Sequence, residues 1–407
     1  MKRAIVIGWI AAFASTAPAQ SWVAPMRQVR QAYTDGDGEA KGAIGRFGDS
    51  ISVSKASFYP LSWNWYSTAP GTPERDALTW LRGWMTAASW GWQDDDQGLG
   101  GPVWDDFKFH GCLGGTRSTW PLELCESEWT GRLAGERRVD YWLRNDNPEI
   151  AVIMWGSNDL GDGSISVATY KNSMRQVIQA CKANGTIPVL MTAPPRTNYD
   201  SGTGSNLQKA IGFHQAMVDL AAEQQVPLVD FHDEITTRRP HNLPTDTWDG
   251  ANDMWSSYSG YQVPTLMARD GLHPSNWSAG GSAFDQSSLN TNGFTLRNYM
   301  TLMAVQEVFD MVIDPTPPCH IGDANRDGRV GIADLAALAD NYGTTVPATW
   351  EMGDFTLDAA VGIADLVALA DNYGWVGSPC PAGGAVPEPA TLAQIAVGAL
   401  TLVRRRR

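Results

Sequence analysis

Ala43-Ile-Gly-Arg-Phe47, followed at once by Gly48-Asp49-Ser50-Ile51, is the stretch on which the fold turns. A short apolar-rich run that ends in Gly-Asp-Ser reads as a buried strand delivering a polar turn. Three further runs have the same look: Ile150 to Met154, Ile187 to Met191 and Leu228 to Phe231. Between them, Val167 to Asn184 and Leu207 to Gln225 carry helical periodicity, and Thr295 to Ile313 supplies a closing helix. Strands alternating with helices predict an α/β domain whose sheet is mainly parallel and covered on both faces. In such sheets the reactive groups gather at the carboxyl ends of the strands, where Ser50 stands.

A Gly-Asp-Ser triplet by itself marks only a turn. Three later segments change its meaning: His110-Gly-Cys-Leu-Gly114-Gly-Thr116, then Gly156-Ser-Asn158-Asp159 after the second strand, then Asp270-Gly-Leu-His273-Pro ahead of the last helix. A serine hydroxyl attacks a carbonyl only when a base takes its proton, and a neutral imidazole suits that role near pH 7. His273 is the candidate base, and Asp270 can hold its other ring nitrogen. In the order of its Ser, Gly, Asn and His blocks, from Ala43 to about Ile313, the chain resembles the SGNH (GDSL-like) hydrolases. That resemblance implies a three-layer α/β sandwich with a flavodoxin-like sheet over residues 38–313. It also implies an oxyanion hole formed by the backbone N–H groups of Ser50 and Gly114 and the side-chain amide of Asn158, with no catalytic cofactor. Asp49 and Asp159 brace the loops on this reading. Asn158-Asp159 could instead be a simple helix cap. His232, near a strand end, is the rival base, and His214 lies inside a helix pattern. No G-x-S-x-G elbow is present.

The two ends belong to export. Met1-Lys-Arg3, an apolar stretch from Ala4 to Ser15 and Ala17-Pro-Ala19 read as a secretory signal peptide over residues 1–19. At the other end, Val386-Pro-Glu-Pro389, an apolar run to Val403 and Arg404 to Arg407 resemble a PEP-CTERM sorting tail over 386–407. At ~1.5 Å per residue that run falls short of a ~30 Å hydrocarbon core, so contact with the membrane is expected to be transient. The protein is then expected outside the cell, at the surface or in the matrix. A formal net charge of −14 argues against a nucleic-acid partner and favours divalent cations. Among five cysteines, Cys319 with Cys380 and Cys112 with Cys125 could pair in an exported protein, leaving Cys181.

Asp314-Pro-Thr-Pro-Pro318 is a stiff linker over 314–318. Beyond it, Val330 to Gly343 recurs as Val361 to Gly374 with one change, Ala336 to Val367, so one structural unit is used twice. Asp323, Asn325, Asp327 and Asp334 stand at positions one, three, five and twelve of a calcium loop, with Gly328 at the sharp turn and the Arg329 carbonyl as backbone ligand. The second copy offers Asp354, Thr356, Asp358, the Ala360 carbonyl and Asp365, but has Ala359 where glycine is expected, so its binding should be weaker. Pro317-Pro-Cys-His320 precludes a regular helix before the first loop. That shape resembles a type I dockerin, a small all-α calcium-binding module, over 319–380; the resemblance implies a cohesin partner contacting Ile332-Ala333 and Ile363-Ala364.

The function expected from all this is a secreted serine esterase acting on acylated, especially acetylated, polysaccharide. Tyr59, Trp63 and Trp65 after the nucleophile, and Trp248, Trp255, Tyr258 and Tyr261 before Asp270, could stack on sugar rings. Two alternatives stay open: a lipase or lysophospholipase acting on lipid esters, and a carbohydrate-binding or matrix protein with an inactive hydrolase fold.

Overall fold

Ile44–Gly48 forms the first strand, β1, and all five of its residues are buried. The computed structural model describes residues 21–33, 44–87 (save 55, 59, 62–63 and 65–66), 110–239 (save 198 and 200–204), 263–276, 282–313 and 319–379 (save 346–347). The export segments, the linker and every aromatic residue expected at the mouth of the site lie outside them. β1 is followed by β2 (Ile150–Met154), β3 (Ile187–Met191) and the two-residue β4 (Leu228–Val229). All pairings are parallel, in the order β1-β2-β3-β4, with Ile44 opposite Ile150 and Ile150 opposite Ile187. The central strands are buried along their whole length, as apolar runs in a sheet covered on both faces must be.

A short segment extends the sheet beyond β1. The Gly48 N–H donates to the Gly111 carbonyl at 2.9 Å, and the Leu113 N–H donates to the Gly48 carbonyl at 3.2 Å, which makes Cys112 a parallel partner of Gly48. Successive residues of a strand aim their polar groups to opposite sides, so this segment flanks β1 on the side away from β2. The chain thus has backbone partners on both sides of β1.

The helices of this unit are α1 (Val23–Gln31), α2 (Ser50–Val53), α3 (Pro73–Ala87), α4 (Arg138–Asp146), α5 (Ser157–Gly161), α6 (Val167–Asn184), α7 (Ser205–Gln224), α8 (Phe231–Arg238), α9 (Gln286–Thr291) and α10 (Gly293–Val308). α6 packs on α7, α4 and α1, whereas α10 packs on α3. Right-handed crossovers place these two sets on opposite faces of the sheet. α10 is buried almost all round, which its lack of an amphipathic stripe anticipates. The last turn, Phe309–Ile313, is a π-helix.

Two expectations are corrected. The strand expected to reach Phe231 stops at Val229, because Asp230 accepts a hydrogen bond from the Asp233 N–H and starts α8. The compact unit runs from Trp22 to Thr316, and α1 sets Met26 and Val29 into its core. Cys112 and Cys125 are free and buried, as is Cys181. The Cys112 thiol donates to the Arg46 carbonyl beside β1, while Cys125 packs in the main core. Cys319 is disulfide-bonded.

A second compact unit takes in Pro317–Thr356 and the residues from Ala360 on. It holds α11 (Ile332–Asn341) and α12 (Ile363–Asn372). The two repeats clasp each other. Gly343 and Thr344, after α11, exchange backbone bonds with Val361, and Gly374 and Trp375, after α12, do the same with Val330.

Candidate active site

The nucleophile candidate sits where β1 turns into α2. Asp49 is the N-cap of α2, its carboxylate accepting from the Ile51 N–H at 3.0 Å, and Ser50 is the first helical residue. Gly48 is required just before it: a Cβ there would overlap the Ser52 side chain and lie 2.6 Å from the Met154 carbonyl oxygen. The close approach of β1 to β2 and the sharp turn therefore fix the exit direction of Ser50.

Ser50 Oγ lies 2.9 Å from His273 Nε2, and His273 Nδ1 lies 2.6 Å from Asp270 Oδ2. The turn that carries the pair is self-bracing. Asp270 Oδ1 accepts from the backbone N–H groups of Leu272 and His273, each at 3.0 Å, and the Ala268 N–H donates to the His273 carbonyl at 2.9 Å. Partial burial pushes the Asp270 carboxyl up, but the hydrogen bonds from the His273 ring and the two backbone N–H groups outweigh it and hold the carboxyl at about 2. Asp270 is thus ionised across the working range, as an acceptor for an imidazole N–H must be.

The glycine and asparagine blocks meet beside this serine. A Cβ placed on Gly114 would be 3.8 Å from Ser50 Cβ, with nothing else near, so the glycine leaves the face of the nucleophile open. Asn158, in α5 after β2, donates from its side-chain amide to the Thr116 carbonyl at 3.0 Å and to Asp49 Oδ2 at 3.4 Å. One amide thereby ties the serine block to the glycine block. Asn158 is a residue of α5 rather than its cap, for Gly156 holds that position.

Two buried carboxylates flank the pair. Burial pushes the Asp49 carboxyl up to about 6, against the lowering effect of the Ile51 N–H and the His273 charge. Asp159 is also raised by burial, with the Ser118 hydroxyl and N–H groups working against that shift. Both brace loops, as their positions in the motifs suggested. Beneath α2, the fully buried Arg297 of α10 donates to Ser52 Oγ at 3.2 Å. Nothing local in the sequence marks this contact, which joins residues 245 apart.

Of the other histidines, His214 bonds both Asp230 oxygens at 2.9 and 3.0 Å and stacks on His232 at a ring separation of 4.6 Å. It is His273, not the rival His232, whose ring meets Ser50.

Residues 86–277 match the GDSL-like lipase/acylhydrolase family. The body of the chain is therefore an ester hydrolase. The match takes in the glycine, Asn158 and Asp270–His273 blocks, while the Ser50 block precedes it. Residues 385–407 match the PEP-CTERM protein-sorting motif, which marks exported, surface-sorted proteins. No curated protein matches the chain. Similar solved structures include a GDSL-like lipase from Bacteroides thetaiotaomicron, with 13% identity, 72% of this chain and 98% of that one covered, and a TM-score of 0.33. A carbohydrate esterase family 3 protein from Talaromyces cellulolyticus shares 15% identity over 67% of this chain and 99% of its own, with a TM-score of 0.38. A mutant of an acetyl-xylooligosaccharide esterase from Geobacillus Stearmophilus shares 12% over 65% and 93%, at 0.36.

The loops of the second unit wind around their own carboxylates. Asp323 accepts from the N–H groups of Asp327 and Gly328 at 3.1 and 3.0 Å, and Asn325 Oδ1 from Asp327 at 2.9 Å. Asp334 accepts from Ala324, Asn325 and Gly331. In the second loop Asp365 accepts from Thr356, through both its N–H and its hydroxyl, and from Gly362. Asp354 is buried, Asp358 and Ala360 are half-buried, and Arg329 is exposed. Gly328 has φ +81° and Ala359 φ +64° at the matching position. Among the described residues no group of three or more His, Cys, Asp or Glu side chains converges as a metal cluster.

Proposed function

We propose that the protein is a secreted serine esterase that removes acyl groups, acetyl foremost, from polysaccharide outside the cell. The observation that carries this reading is the continuous Ser50–His273–Asp270 chain of contacts at 2.9 and 2.6 Å. It supports an active hydrolase over a vestigial one. His273 takes the Ser50 proton as Oγ attacks the ester carbonyl, and the imidazolium that forms is stabilised by ionised Asp270. The oxyanion is received by the N–H groups of Ser50 and Gly114 and by the Asn158 amide, which swings from the Thr116 carbonyl toward it. His273 then protonates the leaving alkoxide. Water, deprotonated by His273, attacks the acyl-serine ester and regenerates the hydroxyl.

The polysaccharide substrate is supported by the aromatic residues on both sides of the motif blocks and by a destination at the cell surface. Hydrolysis of p-nitrophenyl acetate and of acetylated xylan, abolished in Ser50→Ala, is the expected result; full activity in that variant would end the serine mechanism. A phospholipid cleaved faster than any acetylated glycan would move the substrate to the lipid alternative.

The second unit fits a dockerin-like calcium module on its donor chemistry: hard oxygen ligands in sequence, a glycine with positive φ at position six, and buried Asp323 and Asp334. Asp323, Asn325, Asp327, Asp334 and the Arg329 carbonyl would hold the first ion; Asp354, Thr356, Asp358, the Ala360 carbonyl and Asp365 the second. The exposed Ile332 and Ile363 would face a cohesin partner. Titration calorimetry with calcium should show one strong site that Asp327→Ala weakens at least tenfold; an unchanged isotherm would refute the ligand assignment.

A further inference from the structure

The connection that follows β3, Ala193 to Tyr199, touches both halves of the candidate active site without contributing a residue to either motif. Arg196 is its centre. The Arg196 guanidinium donates to the carbonyl of Ser157, the residue just before Asn158. It rests on α5 where that helix has no side chain: a Cβ built on Gly161 would meet the two terminal guanidinium nitrogens at 2.5 and 2.7 Å. Its far face lies 5.5 Å from the ring centroid of Tyr199, near enough for a cation–π contact. One residue on, the Thr197 N–H donates to the Gly271 carbonyl at 2.9 Å, and the Thr197 side chain fills the space a Cβ on Gly271 would need. Gly271 lies between Asp270 and His273. A single short segment is therefore pinned to the helix that carries the oxyanion amide and to the turn that carries the base.

α5 has only five residues, too few to hold a shape on its own. Its C-terminal carbonyls, those of Leu160 and Asp162, accept from Lys209 at 3.0 and 2.7 Å. Its N-terminal end is held by Arg196 at the Ser157 carbonyl, alongside the Asn158–Thr116 and Ser118–Asp159 contacts. A guanidinium, planar and always charged, suits a fixed contact with a carbonyl better than a flexible ammonium does.

We infer that Arg196 is a positioning residue that acts through Asn158, holding its amide in register with the His273–Asp270 turn during oxyanion formation. The inference rests on the serine-esterase reading. Orientation errors of about 1 Å cost on the order of 10²-fold in rate, so the effect belongs in kcat. Arg196→Ala should lower kcat on p-nitrophenyl acetate by roughly 10–100-fold with KM changed less than about threefold. Gly161→Ala, which displaces the same guanidinium from the other side, should reproduce part of that loss. Guanidinium chloride at low concentration should restore activity to Arg196→Ala and not to Asn158→Ala.

The deciding experiment is a double-mutant cycle. If Arg196 acts through Asn158, then Arg196→Ala costs less than about twofold once Asn158→Ala is present. Equal losses in the two backgrounds would overturn the inference, as would a wild-type kcat in Arg196→Ala. A Ser50→Ala control separates the two levels. If it keeps activity, the serine-esterase reading falls and takes this inference with it; if it is dead while the cycle is additive, only the role of Arg196 falls.

Discussion

At the residue scale, Asp49 shows how the site couples chemistry to stability. Its carboxyl is fully buried beside the nucleophile, caps α2 and accepts from Asn158. Burial raises it from 3.8 to about 6. In the folded chain the proton is thus held where the unfolded chain has already lost it. Between about pH 4 and 6 the unfolded state binds fewer protons, so this group costs stability as pH rises, and the cost is complete above 6. Asparagine cannot titrate. The stability of Asp49→Asn relative to wild type should therefore increase from pH 4 to pH 7 by on the order of 3 kcal/mol. Urea unfolding at the two pH values reads this directly, and a pH-independent difference would contradict the assignment. The site was legible in the sequence to the extent that its motifs are local. Ser50, His273, Asp270 and the bracing role of Asp49 follow from short spacings, whereas its cap on α2 is seen only in the fold. The Ser118–Asp159 brace and the Arg297–Ser52 contact do not, because each joins residues that only the fold brings together.

At the element scale, the nucleophile turn hangs on α10. Asn298 is fully buried; its Oδ1 accepts from the Phe58 N–H and its Nδ2 donates to the Ala56 carbonyl, both at 2.9 Å. Phe58 is held at φ +70°, a conformation an L-residue rarely adopts. Asn298→Ala removes the Asn298 partner of both buried backbone groups and loosens that conformation. The expected loss is about 2–4 kcal/mol, seen as a lower urea midpoint with an unchanged slope. A loss under about 0.5 kcal/mol would show that Phe58 is held by other means. The elements were more legible than this dependence. Apolar runs located β1, β2 and β3 almost to the residue, since a strand covered on both faces is mostly apolar, the buried Arg46 of β1 being the exception. β4 was read too long because Asp230 is both the end of an apolar run and a helix cap, and only the second role survives folding. The 111–113 edge was missed because Cys112-Leu-Gly-Gly reads as a turn, whereas its pairing is set by the backbone of Gly48.

At the scale of the whole molecule, the duplicated loops of the second unit pose the same backbone problem with two different answers. Gly328 meets its left-handed conformation, φ +81°, at no steric cost, while Ala359 adopts φ +64° with a Cβ in place. For an alanine that conformation costs roughly 1 kcal/mol or more. Ala359→Gly should therefore raise the thermal midpoint by an amount equivalent to about 1 kcal/mol. The reverse change in the first loop is not its mirror image. A Cβ on Gly328 would come within 2.6 Å of the Pro379 nitrogen and 2.7 Å of the Ser378 carbonyl carbon, both backbone atoms that cannot turn aside. Gly328→Ala thus adds an overlap to the conformational cost, and its loss should exceed the gain from Ala359→Gly. Calorimetry of both variants decides the matter. A gain and a loss of equal size would mean that backbone conformation alone sets the asymmetry. A lowered midpoint for Ala359→Gly would mean that the methyl of Ala359, which is itself fully buried, contributes more by packing than its backbone costs in strain.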